Sequence, residues 1–140
     1  MSAVDTMRLV RHQETEAMPI AIVRRYIEAF NTGKFERAAS AFAANGILYP
    51  PIDDAVKGRN AIARYLRREA NGMKIASDRI EIRAQQPDNI CIETLGKVQT
   101  PLFGINAAWT FALNSRSEIT SLSVKLLASP EEWLGLQQFA

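Results

Sequence analysis

The sequence has very few of the residues that metal sites and nucleophilic catalysis most often use. It contains one cysteine, Cys91, and one histidine, His12, in 140 residues. A single thiol cannot form an intrachain disulfide, and these two residues do not make a zinc-ligand pattern. A Ser-His catalytic triad likewise has little support, because His12 lies in a polar N-terminal stretch. The sequence therefore predicts a protein without a bound metal.

Long apolar runs and basic runs are also missing. No stretch approaches the ~20 apolar residues of a membrane span, and residues 1–16 lack the apolar segment of a secretory signal. The net charge is +2 without a run of basic residues, and the local cluster of Arg64, Arg67 and Arg68 is expected to form a solvated helix face, so nucleic acid is not predicted as a partner. The length fits one domain. We expect a single cytoplasmic domain.

The spacing of apolar residues changes from helical to strand-like along the chain. Spacing of i, i+3, i+4, i+7 predicts three helices, from Pro19 to Asn31, from Phe35 to about Asn45-Gly46, and from Arg59 to Ala70. Period-two alternation then predicts strands near residues 78–83, 90–95, 103–113 and 120–126, after a short strand at 47–49. This order predicts an α+β domain over residues 17–128, with helices on one face of a curved, mostly antiparallel sheet.

Both ends of the chain are predicted to lie outside this globular part. Residues 1–16 are polar and are expected to form a flexible extension. Ser129-Pro130-Glu131-Glu132 predicts the start of a short C-terminal helix within residues 129–140. A helix this short must pack on something to be stable.

Trp109 and Tyr26 are the polar-tipped aromatic residues of the predicted inner walls. Trp109 lies on the apolar face of the strand 103–113, and Tyr26 lies on the apolar stripe of the first helix. Each brings one hydrogen-bond donor, and two such donors suit a ligand atom that only accepts, such as a ketone oxygen. The alternative is that both are core aromatics whose polar tips find backbone carbonyls or water.

An enzyme would need a proton-transfer group on the same inner wall. Glu81, Glu93 and Asp78 are predicted to lie on the opposite face of the sheet. Glu69 lies on the inward stripe in the last turn of the third helix, and the alternative is an exposed helix end. Cys91 is predicted on the outer face, either as an inert packed thiol or as a thiol that forms a redox-controlled disulfide between two copies. The pattern favours binding over turnover.

Four segments resemble one family: FNTGKF at 30–35, LYPP at 48–51, GKVQTPLFG at 96–104 and LLASPEE at 126–132. They are similar to the C-terminal domain of the orange carotenoid protein of cyanobacteria, a nuclear-transport-factor-2-like domain. The similarity runs from about Ile22 to Leu136. Because nothing here matches the family's helical N-terminal domain, the chain is expected to resemble the stand-alone homologues of the C-terminal domain.

The resemblance implies a fold and a function. The fold is a cone of three N-terminal helices on a curved sheet. The function is binding of a ketocarotenoid of the canthaxanthin, echinenone or 3'-hydroxyechinenone type, without catalysis. Such proteins form homodimers, carry pigment to or from helical carotenoid-binding proteins and quench singlet oxygen or excitation. The resemblance further implies a cyanobacterial cytoplasmic protein that associates with thylakoids and touches membranes only transiently, during pigment uptake.

The resemblance also implies roles for individual residues. Matching of VRRY at 23–26 and NAAW at 106–109 assigns Tyr26 and Trp109 as donors to the keto oxygen. Glu69 matches an acidic residue that pairs with an arginine of the N-terminal domain, so here it should be unpaired or face another protein. Leu102 replaces a tryptophan of the full-length proteins. The expected pocket lining is Val23, Ile27, Tyr65, Leu66, Leu102, Phe103, Ile105, Ala107, Phe111 and Leu126.

Two other functions stay open at this point. A ketosteroid-isomerase-like or polyketide-cyclase-like enzyme acting on a polycyclic ketone would share the inward tyrosine, and it would need a carboxylate facing Tyr26 inside the cone. A purely protein-binding module would have a filled cone with no room for a ring.

Overall fold

The computed structural model of the protein describes residues 17–127. The predicted N-terminal extension (1–16) and C-terminal helix (129–140), with Trp133, Leu134 and Leu136, lie outside the described residues. Within them, three helices and six strands follow one another in this order: α1 (Met18–Asn31), α2 (Phe35–Ser40), β1 (Phe42–Tyr49), β2 (Val56–Lys57), α3 (Arg59–Glu69), β3 (Lys74–Gln86), β4 (Asn89–Gln99), β5 (Gly104–Leu113) and β6 (Ile119–Leu126).

The six strands form one sheet in the order β2-β1-β6-β5-β4-β3. All neighbours are antiparallel except β1 and β6, which run parallel. Strands β3 to β6 form the meander that period-two alternation predicted, with hairpin turns at residues 87–88 and 114–118. The α+β class and the mostly antiparallel sheet are confirmed.

The second helix is shorter than its apolar spacing predicted. It ends at Ser40, and Phe42 begins strand β1 instead of closing a helical stripe. The reason is the pairing of β1 with β6, in which Phe42 lies opposite Ile119 and Ile47 lies opposite Ser121. Between these two pairs β1 has more residues than β6, and the additional residues form a bulge. The apolar spacing fits either a helix or a bulged strand, and the pairing with β6 favours the strand.

Strand β3 bends because its register against β4 shifts twice, between Ser77 and Arg79 and between Ile82 and Ala84. Bulges of this kind increase twist and curl a sheet. A buried threonine, Thr94, holds the first of them through its hydroxyl, which donates to the carbonyl oxygen of Arg79 and contacts the Ser77 hydroxyl. The curled sheet encloses the helices on its concave side.

The apolar core lies between the concave face of the sheet and the three helices. Alternation along β5 is as predicted, with Ala107, Trp109, Phe111 and Leu113 all buried. Helix α1 contributes Tyr26, whose ring packs edge-on against Phe111 with centroids 5.7 Å apart. The core fills the narrow end of the cone and leaves its wide end open.

Candidate functional site

A cavity of about 300 Å³ occupies the open end of the cone. Its walls come from α1, α3, the sheet and the loop between β1 and β2, and they are mainly apolar. The lining residues are Tyr26, Phe30, Leu48, Pro50, Pro51, Ile52, Asp53, Tyr65, Leu66, Glu69, Ala70, Met73, Ile75, Val98, Thr100, Phe103, Ile105, Trp109, Val124 and Leu126. The cone is therefore not filled, whereas a purely protein-binding module would have a filled cone.

Tyr26 and Trp109 form the buried end of this cavity. Each side chain is only 2 % exposed, and each lines the cavity. Within residues 17–127, neither the Tyr26 hydroxyl nor the Trp109 indole N–H has a hydrogen-bond partner, although no fully buried side-chain nitrogen or oxygen there is left unsatisfied. Both donors must therefore reach accessible space, and that space is the cavity.

The surroundings of Tyr26 keep its hydroxyl protonated. Its ring is held by Phe30, Phe42 and Phe111, with centroid distances of 6.2, 5.9 and 5.7 Å. Burial among these rings raises the pKa of the Tyr26 phenol well above its ordinary value, because the charged form would be desolvated. Tyr26 is therefore a fixed donor at any physiological pH.

Polar side chains also lie at the mouth of the cavity, which is the end opposite Tyr26 and Trp109. The Tyr65 hydroxyl on α3 donates to Asp53 Oδ2 at 2.7 Å, which ties the β1–β2 loop to the helix. The guanidinium of Arg68 lies 5.7 Å from the centre of the Tyr65 ring. Burial raises the pKa of Tyr65, and the bond to Asp53 and that carboxylate's charge raise it further.

Glu69 also lies at the mouth, as one of the lining residues on the last turn of α3. The expectation that it is unpaired is wrong: Arg68 Nε lies 3.0 Å from its Oε1. The two residues are sequence neighbours and both are substantially exposed, so the pair is weak. Contact of Glu69 with another protein stays a prediction.

An apolar rim surrounds the mouth. Ile52 on the β1–β2 loop is 85 % exposed, and Leu102 and Phe103 on the β4–β5 turn are 88 % and 55 % exposed. Three hydrogen bonds hold the turn: the Thr100 hydroxyl accepts from the backbone N–H groups of Leu102 and Phe103 and donates to the Phe103 carbonyl. Ile52 and Phe103 also line the cavity.

The residues that we expected in the pocket fall into three groups. Five of them line the cavity: Tyr65, Leu66, Phe103, Ile105 and Leu126. Three are fully buried in the core behind it and do not line it: Val23, Ala107 and Phe111. The last two do not line it either, since Ile27 faces a separate groove between α1 and β3, and Leu102 belongs to the exposed rim.

Some lining residues had no signal in the sequence. Asp53 follows Pro50 and Pro51 in a loop, where no periodicity predicts a direction, and Thr100 and Met73 also lie in connections between elements. The LYPP segment was the one hint that this loop belongs to the site. With Asp53 and Glu69, two carboxylates share the cavity with Tyr26, which is the feature that an enzyme reading requires.

Cys91 lies apart from the cavity. It pairs with Ala84 on β3 and Ala112 on β5, and it is half-buried without a disulfide partner within residues 17–127. Burial raises the pKa of its thiol, and the charge of Glu93 raises it further. The thiol is therefore less reactive at neutral pH than an ordinary one.

Two searches of the described residues gave negative results. Residues 17–127 contain no group of three or more His, Cys, Asp or Glu side chains placed to hold a metal ion. No helix in that range has both the length and the apolar character needed to cross a membrane.

Comparison with known proteins identifies the family. The model of the SnoaL-like domain matches residues 23–111, which is more than half of the chain. The chain belongs to the SnoaL-like domain family. Its curated relatives include the orange carotenoid-binding proteins of Limnospira maxima, 32 % identical over 127 residues, and of Synechocystis, 32 % identical over 123 residues.

These alignments cover 88 % and 85 % of this SnoaL-like chain and 40 % and 39 % of the two relatives. The chain thus spans about two fifths of the length of the curated relatives that it matches. The resemblance to the orange carotenoid protein is confirmed.

Solved structures agree with this assignment. The orange carotenoid protein of Anabaena binding canthaxanthin matches with a TM-score of 0.75 and 32 % identity, over 81 % of this chain and 38 % of that one. A putative ketosteroid isomerase from Kribbella flavida matches with a TM-score of 0.66 at 14 % identity, over 80 % of this chain and 79 % of that one. At that identity the likeness shows the fold alone. The match to the orange carotenoid protein structure and to the family model confirms the predicted nuclear-transport-factor-2-like architecture.

Proposed function

We propose that this SnoaL-like chain binds a ketocarotenoid and carries it, without catalysing a reaction on it. The observation that carries the proposal is the pair of partnerless donors, Tyr26 and Trp109, at the buried end of an apolar cavity. A ring ketone has an acceptor oxygen and no donor, so it can satisfy both groups at once. Pigments of the canthaxanthin, echinenone or 3'-hydroxyechinenone type have such a ring.

The walls suit the rest of the ring. Leu66 on α3, Ile105 on β5 and Leu126 on β6 all line the cavity with aliphatic groups, and burying apolar ligand surface against them supplies most of the affinity. The two hydrogen bonds then orient the ring and polarise its carbonyl. Electron withdrawal toward the oxygen shifts the absorption of the conjugated chain to longer wavelength.

The size of the cavity implies that a bound carotenoid would extend beyond it and need a second protein surface. At about 300 Å³ it lies at the small end of the ~300–1,000 Å³ range of pockets that enclose drug-sized ligands. A carotenoid is a long rod, so one cavity holds a ring and the adjoining part of the polyene. The remainder must be covered by another apolar surface.

We propose that two surfaces cover that remainder in turn. The exposed rim of Ile52, Leu102 and Phe103 would meet the rim of a second copy in a homodimer around one pigment. The same rim, with Glu69 beside it, would meet a helical carotenoid-binding protein during transfer. A disulfide between the Cys91 thiols of two copies would need an oxidant to take up two electrons, and the raised pKa of the thiol would slow its formation.

The setting follows from the same proposal. A carrier of this type would work in the cyanobacterial cytoplasm close to thylakoids, touching the membrane only while it takes up pigment. When loaded, it would also quench singlet oxygen or excitation.

The decisive experiment is expression in a host that makes canthaxanthin, followed by absorption spectroscopy of the purified protein. We expect a coloured protein with absorption shifted to the red of the free pigment. Tyr26→Phe and Trp109→Phe should each weaken binding by about tenfold, as expected for one lost hydrogen bond of ~1.4 kcal/mol. The double variant should also lose the shift.

Tyr65→Phe is the matched control. It also removes a tyrosine hydroxyl from the cavity, but this hydroxyl already donates to Asp53. It should leave the colour unchanged. A double variant, Tyr26→Phe with Trp109→Phe, that kept both the colour and the affinity of the wild type would refute the assignment of the donors.

A second candidate function rests on Asp53 and Glu69. Both carboxylates line the cavity together with Tyr26, as in an isomerase or cyclase acting on a polycyclic ketone. Both are occupied, by Tyr65 and by Arg68 respectively, and both lie at the mouth rather than beside the buried donors. Binding is therefore the better supported function.

The two functions can be separated by proton exchange. If Asp53 or Glu69 were a general base, the protein would exchange the α-protons of a polycyclic enone for deuterium in heavy water, and Asp53→Asn or Glu69→Gln would stop it. We expect no exchange above the buffer rate by NMR.

A further inference from the structure

The cavity has opposite hydrogen-bonding character at its two ends. At the buried end, the Trp109 indole can only donate, and the protonated Tyr26 hydroxyl can also donate. At the mouth, Asp53 and Glu69 are carboxylates, which can only accept. The wall between them is apolar. A ligand that matched both ends would carry an acceptor at one end and a donor at the other.

The carboxylates at the mouth have acceptor capacity to spare. Asp53 uses Oδ2 for the Tyr65 hydroxyl, and its Oδ1 has no hydrogen-bond partner in residues 17–127. Glu69 uses Oε1 for Arg68, and its Oε2 likewise has none in that part of the chain. An ionised carboxylate offers about four acceptor sites. Each residue can therefore accept from a ligand without giving up its present partner.

Two acidic residues at a surface do not by themselves make a binding site. Here an independent feature points to a ligand, namely Tyr26, a residue that is only 2 % exposed, lines the cavity, and has a hydroxyl without a hydrogen-bond partner among the described residues. The carboxylates and this hydroxyl line one continuous space. The mouth therefore belongs to a site that is already built for a ligand.

A full-length carotenoid leaves the acceptors at the mouth unused. Its polyene passes through the mouth as a hydrocarbon and has no donor to offer Asp53 or Glu69. A shorter molecule that ends at the mouth in a hydroxyl would satisfy them. The cavity volume of about 300 Å³ also suits a molecule that ends there better than one that continues outside.

We propose that the cavity also binds short ring ketones whose chain ends in a hydroxyl group. The ketone oxygen would accept from Tyr26 and Trp109, and the hydroxyl would donate to Asp53 or Glu69. A terminal carboxylate in place of the hydroxyl would be repelled by the same two residues. This inference rests on the proposed ketone site, and it adds Asp53 and Glu69 as residues that determine specificity for the far end of the ligand.

Retinol with a keto group on its ring is a suitable probe, because its polyene is short and ends in a hydroxyl. Two matched probes change only that end: the methyl ether, which cannot donate, and the corresponding retinoic acid, which is negatively charged. Quenching of tryptophan fluorescence gives the Kd of each. We expect the alcohol to bind about tenfold more tightly than the ether, as one hydrogen bond to a charged group implies, and the acid to bind most weakly.

The variant Asp53→Asn with Glu69→Gln removes both charges while keeping side-chain size and an acceptor for Tyr65. It should lose the preference for the alcohol over the acid. Glu36→Gln is the control, since Glu36 is a surface carboxylate paired with Arg67 and does not line the cavity. It should keep the wild-type order. Should the double variant fail to fold, Glu69→Gln alone at the exposed end of α3 should reduce the preference for the alcohol over the acid, because it removes one of the two charges, and an unchanged preference would exclude a role for Glu69.

The outcomes separate this inference from the proposed function. Equal affinity for the alcohol and the ether in the wild type, or a preference for the alcohol over the acid that survives in the double variant, would overturn the role of Asp53 and Glu69 while canthaxanthin still bound with its red shift. Failure of canthaxanthin and of every ring-keto probe to bind would overturn the ketone site itself, and this inference with it.

Discussion

Thr94 on β4 lies directly opposite Trp109 on β5, and both side chains are buried. The Thr94 hydroxyl does not bond to the indole: it donates to the Arg79 carbonyl and contacts the Ser77 hydroxyl. Thr94 therefore holds the bulge of β3 and leaves the Trp109 N–H for the cavity. One residue thus shapes the sheet and keeps the donor available.

Thr94→Val tests this arrangement, because valine has nearly the same shape and no hydroxyl. We expect a loss of about 1–3 kcal/mol in the free energy of unfolding, since the Arg79 carbonyl loses its buried partner. Urea unfolding measures it. Thr120→Val is the matched control: its hydroxyl donates to the Ala112 carbonyl at 3.0 Å in a partly exposed position, where water can replace it. An equal loss in both variants would contradict a special role for Thr94.

Tyr26→Phe should not destabilise the protein in the absence of ligand. The hydroxyl has no partner within the described residues, so its removal costs no hydrogen bond, and the aromatic packing against Phe30, Phe42 and Phe111 stays. We expect a free energy of unfolding equal to that of the wild type within about 0.5 kcal/mol, or higher.

The comparison for Tyr26→Phe is Tyr65→Phe, which breaks the 2.7 Å bond to Asp53 and should cost roughly 0.5–1.5 kcal/mol. Thermal unfolding of both ligand-free variants gives the answer. A larger loss for Tyr26→Phe than for Tyr65→Phe would mean that the Tyr26 hydroxyl has a partner in the folded protein.

Much of the fold could be predicted because its elements carry strong periodicity. Strand β5 alternates without interruption, so the inward direction of Trp109 follows from sequence alone, and the stripe of α1 gives Tyr26 in the same way. Phe42 shows the limit: an apolar residue at helical spacing from Phe35 belongs to a bulged strand, because pairing with β6 decides its conformation. The two-residue strand β2 is too short to show any period.

The residues of the candidate site also divide into those that periodicity could predict and those that it could not. Residues on regular elements, such as Leu66 and Ile105, could be assigned from periodicity, whereas Asp53 and Thr100 lie on connections whose path depends on tertiary bonds to Tyr65 and to the turn backbone. A residue that faces the inside of the cone also does not necessarily line the cavity. Phe111 faces inward but lies at the narrow end of the cone, where α1 fills the space.

Stability should fall at alkaline pH because of Tyr26. The unfolded phenol titrates near ~10, and burial raises the pKa of the folded one. Above pH ~10 the unfolded state therefore loses the proton first, and the free energy of unfolding falls by about 1.4 kcal/mol per pH unit for this group. Below that pH the contribution is constant. Unfolding by urea between pH 9 and 11.5, roughly the window set by these pKa values, should show a shallower fall for Tyr26→Phe than for the wild type. Parallel curves would contradict the burial of a titratable phenol.

Gly96 on β4 should tolerate no side chain, because its Cα faces the backbone of β3. A Cβ built there would clash with the carbonyl of Ala76 and the Cα of Ser77, which are backbone atoms and cannot rotate away. We expect Gly96→Ala to cost about 3 kcal/mol or more in the free energy of unfolding, because β3 must separate from β4 at the bulge that curls the sheet. Gly33→Ala is the contrasting variant, since Gly33 has open space around it and only a positive φ of 73°. It should cost about 1 kcal/mol, and a Gly96→Ala variant as stable as Gly33→Ala would show that β3 does not approach β4 this closely.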